Sequence, residues 1–171
     1  MSRLSLLGLI FFMSLNGRTQ FPAYFSYNVE NGGPANEVYC ITQDKQGYIW
    51  IGCDAGLYRF NGVRFEHFSS PELSSRSISG VCQSSSGRIY GYNFNGQLLY
   101  VENGRLHVLK KWNYLINQIA PDMYGNVWVS TAKGLFCLNE KSMTWKQIHD
   151  LDGDGKKDRE LFTNSIRCTK D

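Results

Sequence analysis

Apolar and polar positions alternate in short runs along most of the chain, and turn-forming residues break the runs every few positions. Val38–Gln43, Tyr48–Cys53, Leu57–Phe60 and Arg64–Phe68 each read as a strand, being short, rich in β-branched and aromatic residues, and bounded by turn signals. Those signals are Asp44 to Gly47, Asp54-Ala55-Gly56 and Asn61-Gly62. Asn-Gly between apolar runs predicts a tight hairpin in which both central residues take positive φ; Asn95-Gly96 and Asn103-Gly104 repeat the signal. No run of about 10–12 residues keeps a helical period free of glycine, so no helix is expected.

The pattern recurs. Residues 38–52 return as 78–92 and again as 116–130, with the central glycines Gly47, Gly87 and Gly125 spaced 40 and then 38 apart. Four short strands per period of about 40 residues is the spacing of a β-propeller blade. The second strand of a copy is apolar on both faces, as in Ile49-Trp50-Ile51 and Val127-Trp128-Val129. A strand with one wet face would alternate, whereas a blade between two neighbours loses water on both sides. Trp50, Tyr90 and Trp128 hold one repeat position, which favours wedging between blades over a sugar-stacking platform. The expected fold is all-β: a partial β-propeller of about three four-stranded antiparallel blades (about 38–69, 78–110 and 116–150), with the first strand of a fourth at 164–171.

Composition agrees with a packed β chain. The 171 residues are 42% hydrophobic and 14% aromatic, which argues against disorder. The net charge is only +3, without a block of like charge, so no nucleic-acid partner is expected. Arg3 followed by the apolar run Leu4 to Leu15 is the length of a secretory signal and too short to span a bilayer. Residues 1–19 are therefore read as a signal peptide and 20–171 as the exported propeller portion, with an extracytoplasmic location. The five cysteines, Cys40, Cys53, Cys82, Cys137 and Cys168, form no C-x-x-C pair and no disulfide framework. They read best as small hydrophobes in strands.

Several stretches together resemble a known family: Tyr27-Asn28-Val29-Glu30-Asn31-Gly32, Asn36-Glu37-Val38, Gln43-Asp44-Lys45-Gln46-Gly47-Tyr48-Ile49-Trp50-Ile51-Gly52 and Gly56-Leu57-Tyr58-Arg59-Phe60-Asn61-Gly62. They look like the opening of a two-component regulator propeller, the extracytoplasmic input region of bacterial hybrid sensor histidine kinases. The third copy follows through Asp122, Gly125, Trp128 and Gly134-Leu135, whereas the second departs, with Ser84 for the aspartate and Tyr90 for the tryptophan. The resemblance implies a non-enzymatic sensor whose complete parent binds an oligosaccharide and acts as a dimer. Histidine kinase activity would lie in parts outside this sequence. The alternatives are a fragment of an exported propeller enzyme, such as a polysaccharide lyase, and a protein-interaction scaffold.

Three blades do not close a ring, so the missing blades are expected partners of a fragment. Ser165 to Asp171 reads as the first strand of a fourth copy, and Tyr24 to Val29 as the outer strand that precedes a blade. The third copy carries an insertion, Asp150-Leu151-Asp152-Gly153-Asp154-Gly155-Lys156-Lys157-Asp158. Asp150, Asp152, Asp154 and Asp158 are spaced as hard oxygen ligands around a glycine bend and make a possible Ca²⁺ loop, the one cofactor considered. Leu161 stands where an EF-hand needs glutamate, and a solvated Asp/Gly insertion is the competing reading. Beyond it no cofactor is expected. His67 and His107 fall in outer strands, and no Ser-His-Asp set or catalytic residue emerges from the spacing. The ligand face is expected to be the one bearing the turns near Asp54, Asn93 and Thr131.

Overall fold

The computed structural model describes residues 24–149. They build three four-stranded antiparallel sheets, each with its strands in chain order. The first holds β1 (Val38–Gln43), β2 (Ile49–Cys53), β3 (Gly56–Phe60) and β4 (Phe65–Phe68). The second holds β5 (Ile78–Gln83), β6 (Ile89–Asn93), β7 (Gln97–Glu102) and β8 (Arg105–Lys111). The third holds β9 (Ile116–Pro121), β10 (Asn126–Thr131), β11 (Gly134–Asn139) and β12 (Thr144–Ile148). The inner strands stand side by side: β5 packs on β1 and β2, and β9 packs on β5 and β6. This is a partial, unclosed β-propeller.

Apolar side chains fill the two seams between blades. Trp50, Leu57 and Phe68 of the first blade pack with Ile78, Ile89, Leu99 and Leu106 of the second. Tyr90 and Leu98 of the second pack with Ile119, Val127, Val129 and Leu138 of the third. The repeat aromatic is thus the wedge: Trp50 and Tyr90 are buried, while Trp128, on the outer side of the third blade, is half-exposed.

The turn aspartate and the tryptophan six residues on are bonded to each other. Asp44 accepts from the indole of Trp50 at 2.7 Å and from the amides of Gln46 and Tyr48. Asp122 does the same with Trp128 at 2.9 Å and with Tyr124 and Asn126. Burial alone would raise the Asp122 carboxyl, but these donors outweigh it and hold the group below its usual range.

Three local expectations need correction. Tyr24 to Val29 is not a strand: Val29–Asn31 is a 3₁₀ turn, and the residues before it have no regular structure. A strand needs a hydrogen-bonded partner, and among the described residues no sheet lies alongside this segment; Tyr27 instead packs its ring on Phe60 and Phe65. Of the three Asn-Gly pairs read as hairpin turns, only Asn103-Gly104 has both residues at positive φ. At Asn61-Gly62 the Asn61 side chain caps the turn by accepting from the amides of Val63 and Arg64, and at Asn95-Gly96 the side chain of Asn93 does so. The signal segment, the possible fourth-blade strand and the acidic insertion lie outside the described residues.

Candidate functional site

Successive strands run in opposite directions, so each blade sends its turns alternately to two faces. The upper face carries the β2–β3, β6–β7 and β10–β11 turns and the connections between blades. The lower face carries the remaining turns.

On the upper face a cleft of about 430 Å³ lies between the β6–β7 turn and the β8–β9 connection. Phe94, Trp112, Tyr114 and Leu115 supply its apolar wall, and Asn95, Asn113 and Lys111 its polar groups. Trp112 is buried against Phe136 and Trp145, with the Lys110 ammonium over its ring at 5.0 Å. Phe94 and Leu115 are about half exposed. Burial pushes the Tyr114 phenol up, so it stays a neutral hydroxyl. Tyr39 meets Phe94 edge to face with ring centroids 5.2 Å apart, and its hydroxyl donates to Glu37. That bond is the main reason the Tyr39 phenol is pushed up.

The cleft is held by a buried polar network. Asn93 accepts from the amides of Asn95 and Gln97 and donates to Ser75 and to the Gln97 side chain. Gln97 accepts from Ser74 and donates to the carbonyl of Glu72. A buried network with each partner satisfied rigidifies the turn it crosses, and here that turn presents Phe94. Gly96, at φ +70°, closes the construction: a Cβ there would meet the carbonyl oxygens of Trp112 and Tyr114. Its own carbonyl accepts from the Trp112 amide at 2.9 Å.

A bulge recurs in the inner strand of each blade, leaving Tyr39, Ser79 and Asn117 out of register. Bulges re-aim side chains near binding sites, and in the first blade the re-aimed residue is the Tyr39 that meets Phe94.

The expected ligand face therefore has a cleft, but not from the residues named for it. Asn93 and Thr131 are fully buried and turned inward: Asn93 serves the network above, and Thr131 donates to the carbonyl of Gly134. Cys53 makes the same contact to Gly56 in the first blade, a turn-closing role. The cleft residues went unread because they sit in the connection between two repeats, where the period carries no information. Their one visible signal was the pair Trp112 and Tyr114 in a loop.

Asp150, Asp152, Asp154 and Asp158 lie outside the described residues, as does Cys168. Among the described residues no group of three His, Cys, Asp or Glu could hold a metal ion. His67 and His107 do lie in outer strands, stacked on Tyr58 and Tyr100. Among the described residues no disulfide joins the four cysteines, and burial pushes the Cys40 thiol up to about 11.

Residues 32–55 match the family described as Two component regulator propeller. The matched stretch holds β1, β2 and the turn between them, with Asp44 and Trp50. No curated protein sequence matches the chain. The chain shares its fold with the extracellular domains of two hybrid two component systems from B. thetaiotaomicron, BT3049 and BT4673. The first is 22% identical over 72% of this chain with a TM-score of 0.58, and the second 19% identical over 88% with a TM-score of 0.65. Virginiamycin B lyase from Staphylococcus aureus is also similar, at 14% identity over 70% of this chain and 43% of its own length, with a TM-score of 0.54. The chain spans about a fifth of the length of the two sensor domains, 18% and 20%. Among the described residues no helix is long and apolar enough to cross a membrane.

Proposed function

We propose that this chain is the opening portion of an extracytoplasmic sensor propeller of a two-component system, which recognises an oligosaccharide in its complete parent. The observation that carries the ligand reading is the upper-face cleft. It joins an exposed aromatic, Phe94, to amide side chains on a turn made rigid from beneath. Sugar rings offer apolar C–H faces to aromatics and hydroxyls to amides, so these two kinds of group together suit them. The regulator propeller repeat and the shared fold support the sensor role, and the unclosed sheets support a larger parent.

The test is a titration of the chain with neutral and acidic oligosaccharides of three to six sugars, read by calorimetry. Phe94→Ala is expected to weaken binding about tenfold, since losing an aromatic contact of about 1.4 kcal/mol is a factor of ten. Absence of binding to the whole set, or binding that Phe94→Ala leaves unchanged, would sink the assignment of this cleft. Turnover of an added glycan would instead favour an exported propeller enzyme.

A further inference from the structure

The buried network beneath Phe94 fixes the backbone of its turn. Asn93 and Gly96 hold the chain on either side of it. They set where the Cα stands, but not which rotamer the ring takes. Phe94 is 49% exposed, and a half-exposed ring on a turn has more than one staggered well open to it. A side chain that the ligand itself must freeze gives up a factor of about two to ten in affinity. Whatever holds the Phe94 ring before a ligand arrives therefore sets how strongly the cleft binds.

The ring that meets Phe94 comes from a different blade. Tyr39 approaches it with centroids 5.2 Å apart and planes at 83°, the edge-to-face arrangement that aromatic pairs favour. Tyr39 is itself fixed twice. Its backbone is bulged between Val38 and Cys40, which takes its side chain out of the alternation of β1. Its hydroxyl donates to Glu37 at 3.0 Å, and the Glu37 carbonyl accepts from the amide of Asp54, in the β2–β3 turn, at 3.2 Å. A chain of contacts thus runs from the first blade to the Phe94 ring. The cleft itself is lined by the β6–β7 turn and residues 111–115, with no residue from the first blade. The fold does not require an aromatic at this bulge, since the second and third blades place Ser79 and Asn117 there.

From this we infer that Tyr39 is a positioning residue for the upper-face cleft. It holds the Phe94 ring in its stacking orientation, so that affinity in the cleft depends on a blade that does not line it. The inference rests on the oligosaccharide reading of the cleft given above.

The test uses the full chain and two readouts. Tyr39 is 40% exposed, so Tyr39→Ala leaves the core intact. Three-bond couplings at Phe94 report its χ1 without any ligand. One rotamer is expected to dominate in wild type and in Tyr39→Phe, with averaged couplings in Tyr39→Ala. Calorimetry with cellopentaose, xylopentaose, mannopentaose and tetragalacturonate reports affinity. For whichever of these binds, Tyr39→Ala is expected to weaken binding about fourfold and Tyr39→Phe by less than about twofold. In a Phe94→Ala background, Tyr39→Ala should change the affinity no further, because a residue that acts through the ring has nothing left to act on. The inference is overturned if Tyr39→Ala leaves the Phe94 rotamers unchanged or leaves the affinity unchanged. A Tyr39→Ala loss that persists in full without Phe94 overturns it too, and makes Tyr39 a contact of the ligand itself. If none of the oligosaccharides binds, the function proposed for the cleft falls, and the couplings alone decide whether Tyr39 holds the ring.

Discussion

Replacing Asp44 by alanine removes three hydrogen bonds at once. Two are to the amides of Gln46 and Tyr48, at 3.0 and 2.9 Å, and one is to the indole of Trp50 at 2.7 Å. The amides lie on a turn that water can reach, so most of their loss is recovered by solvent. The indole cannot recover: Trp50 is 2% exposed, wedged between two blades. A hydrogen bond to a charged group contributes about 1.5–3 kcal/mol, and an unsatisfied buried donor costs about 1–3 kcal/mol. The expected destabilisation is about 3–5 kcal/mol, which for a chain of this size lowers the melting temperature by about 10 °C. Urea unfolding followed by circular dichroism measures it. A double-mutant cycle with Trp50→Phe, which keeps a ring in the seam but removes the N–H, isolates the pair; a coupling of about 1.5–2.5 kcal/mol is expected. In the second blade the corresponding residue, Ser84, shares a hydroxyl–hydroxyl bond of 2.9 Å with Ser86, so Ser84→Ala should cost under about 1 kcal/mol. If the Asp44 and Trp50 changes simply add, the indole–carboxylate bond is not what fixes the first turn, and the reasoning fails.

Two other outcomes follow from the same geometry. Gly96→Ala must fit a Cβ against the carbonyls of Trp112 and Tyr114 at a positive φ, and should cost about 2–4 kcal/mol and disturb the cleft, whereas Gly62→Ala, also at positive φ but in open space, should cost only about 1–2 kcal/mol; equal losses in urea midpoint would refute the steric argument. Because the folded Asp122 carboxyl sits below its unfolded value of about 3.9, its contribution is full above that pH and is lost as the pH falls through the lower folded value; Asp122→Asn should flatten this acid loss of stability, and an unchanged pH dependence below about 4 would count against it.

Much of the architecture was legible because it repeats. The first-blade strands lie within one residue of the expected bounds, with Ile49, Gly56 and Phe65 rather than Tyr48, Leu57 and Arg64 beginning β2, β3 and β4. The wedge role of Trp50 and Tyr90 followed from their shared repeat position. What did not repeat stayed hidden. The bulges at Tyr39, Ser79 and Asn117 leave no composition signal, because a bulge is a choice of hydrogen-bond register. Phe94 could not be told from Asn93 until the buried network claimed the asparagine. The contact between Tyr39 and Phe94 was invisible because the two rings belong to different blades.

Local pattern and period are properties of the chain itself, since alternation, turn residues and a forty-residue return act over short stretches of backbone. They determined that sheets form, how many strands each has and which side chains face a seam. They did not determine which seams are closed to water. Trp50 and Trp128 occupy the same place in the same motif, each bonded to its own aspartate, yet the first is almost wholly buried and the second half-exposed. Burial depends on what stands on the far side of the ring, and that is settled only when the blades are packed.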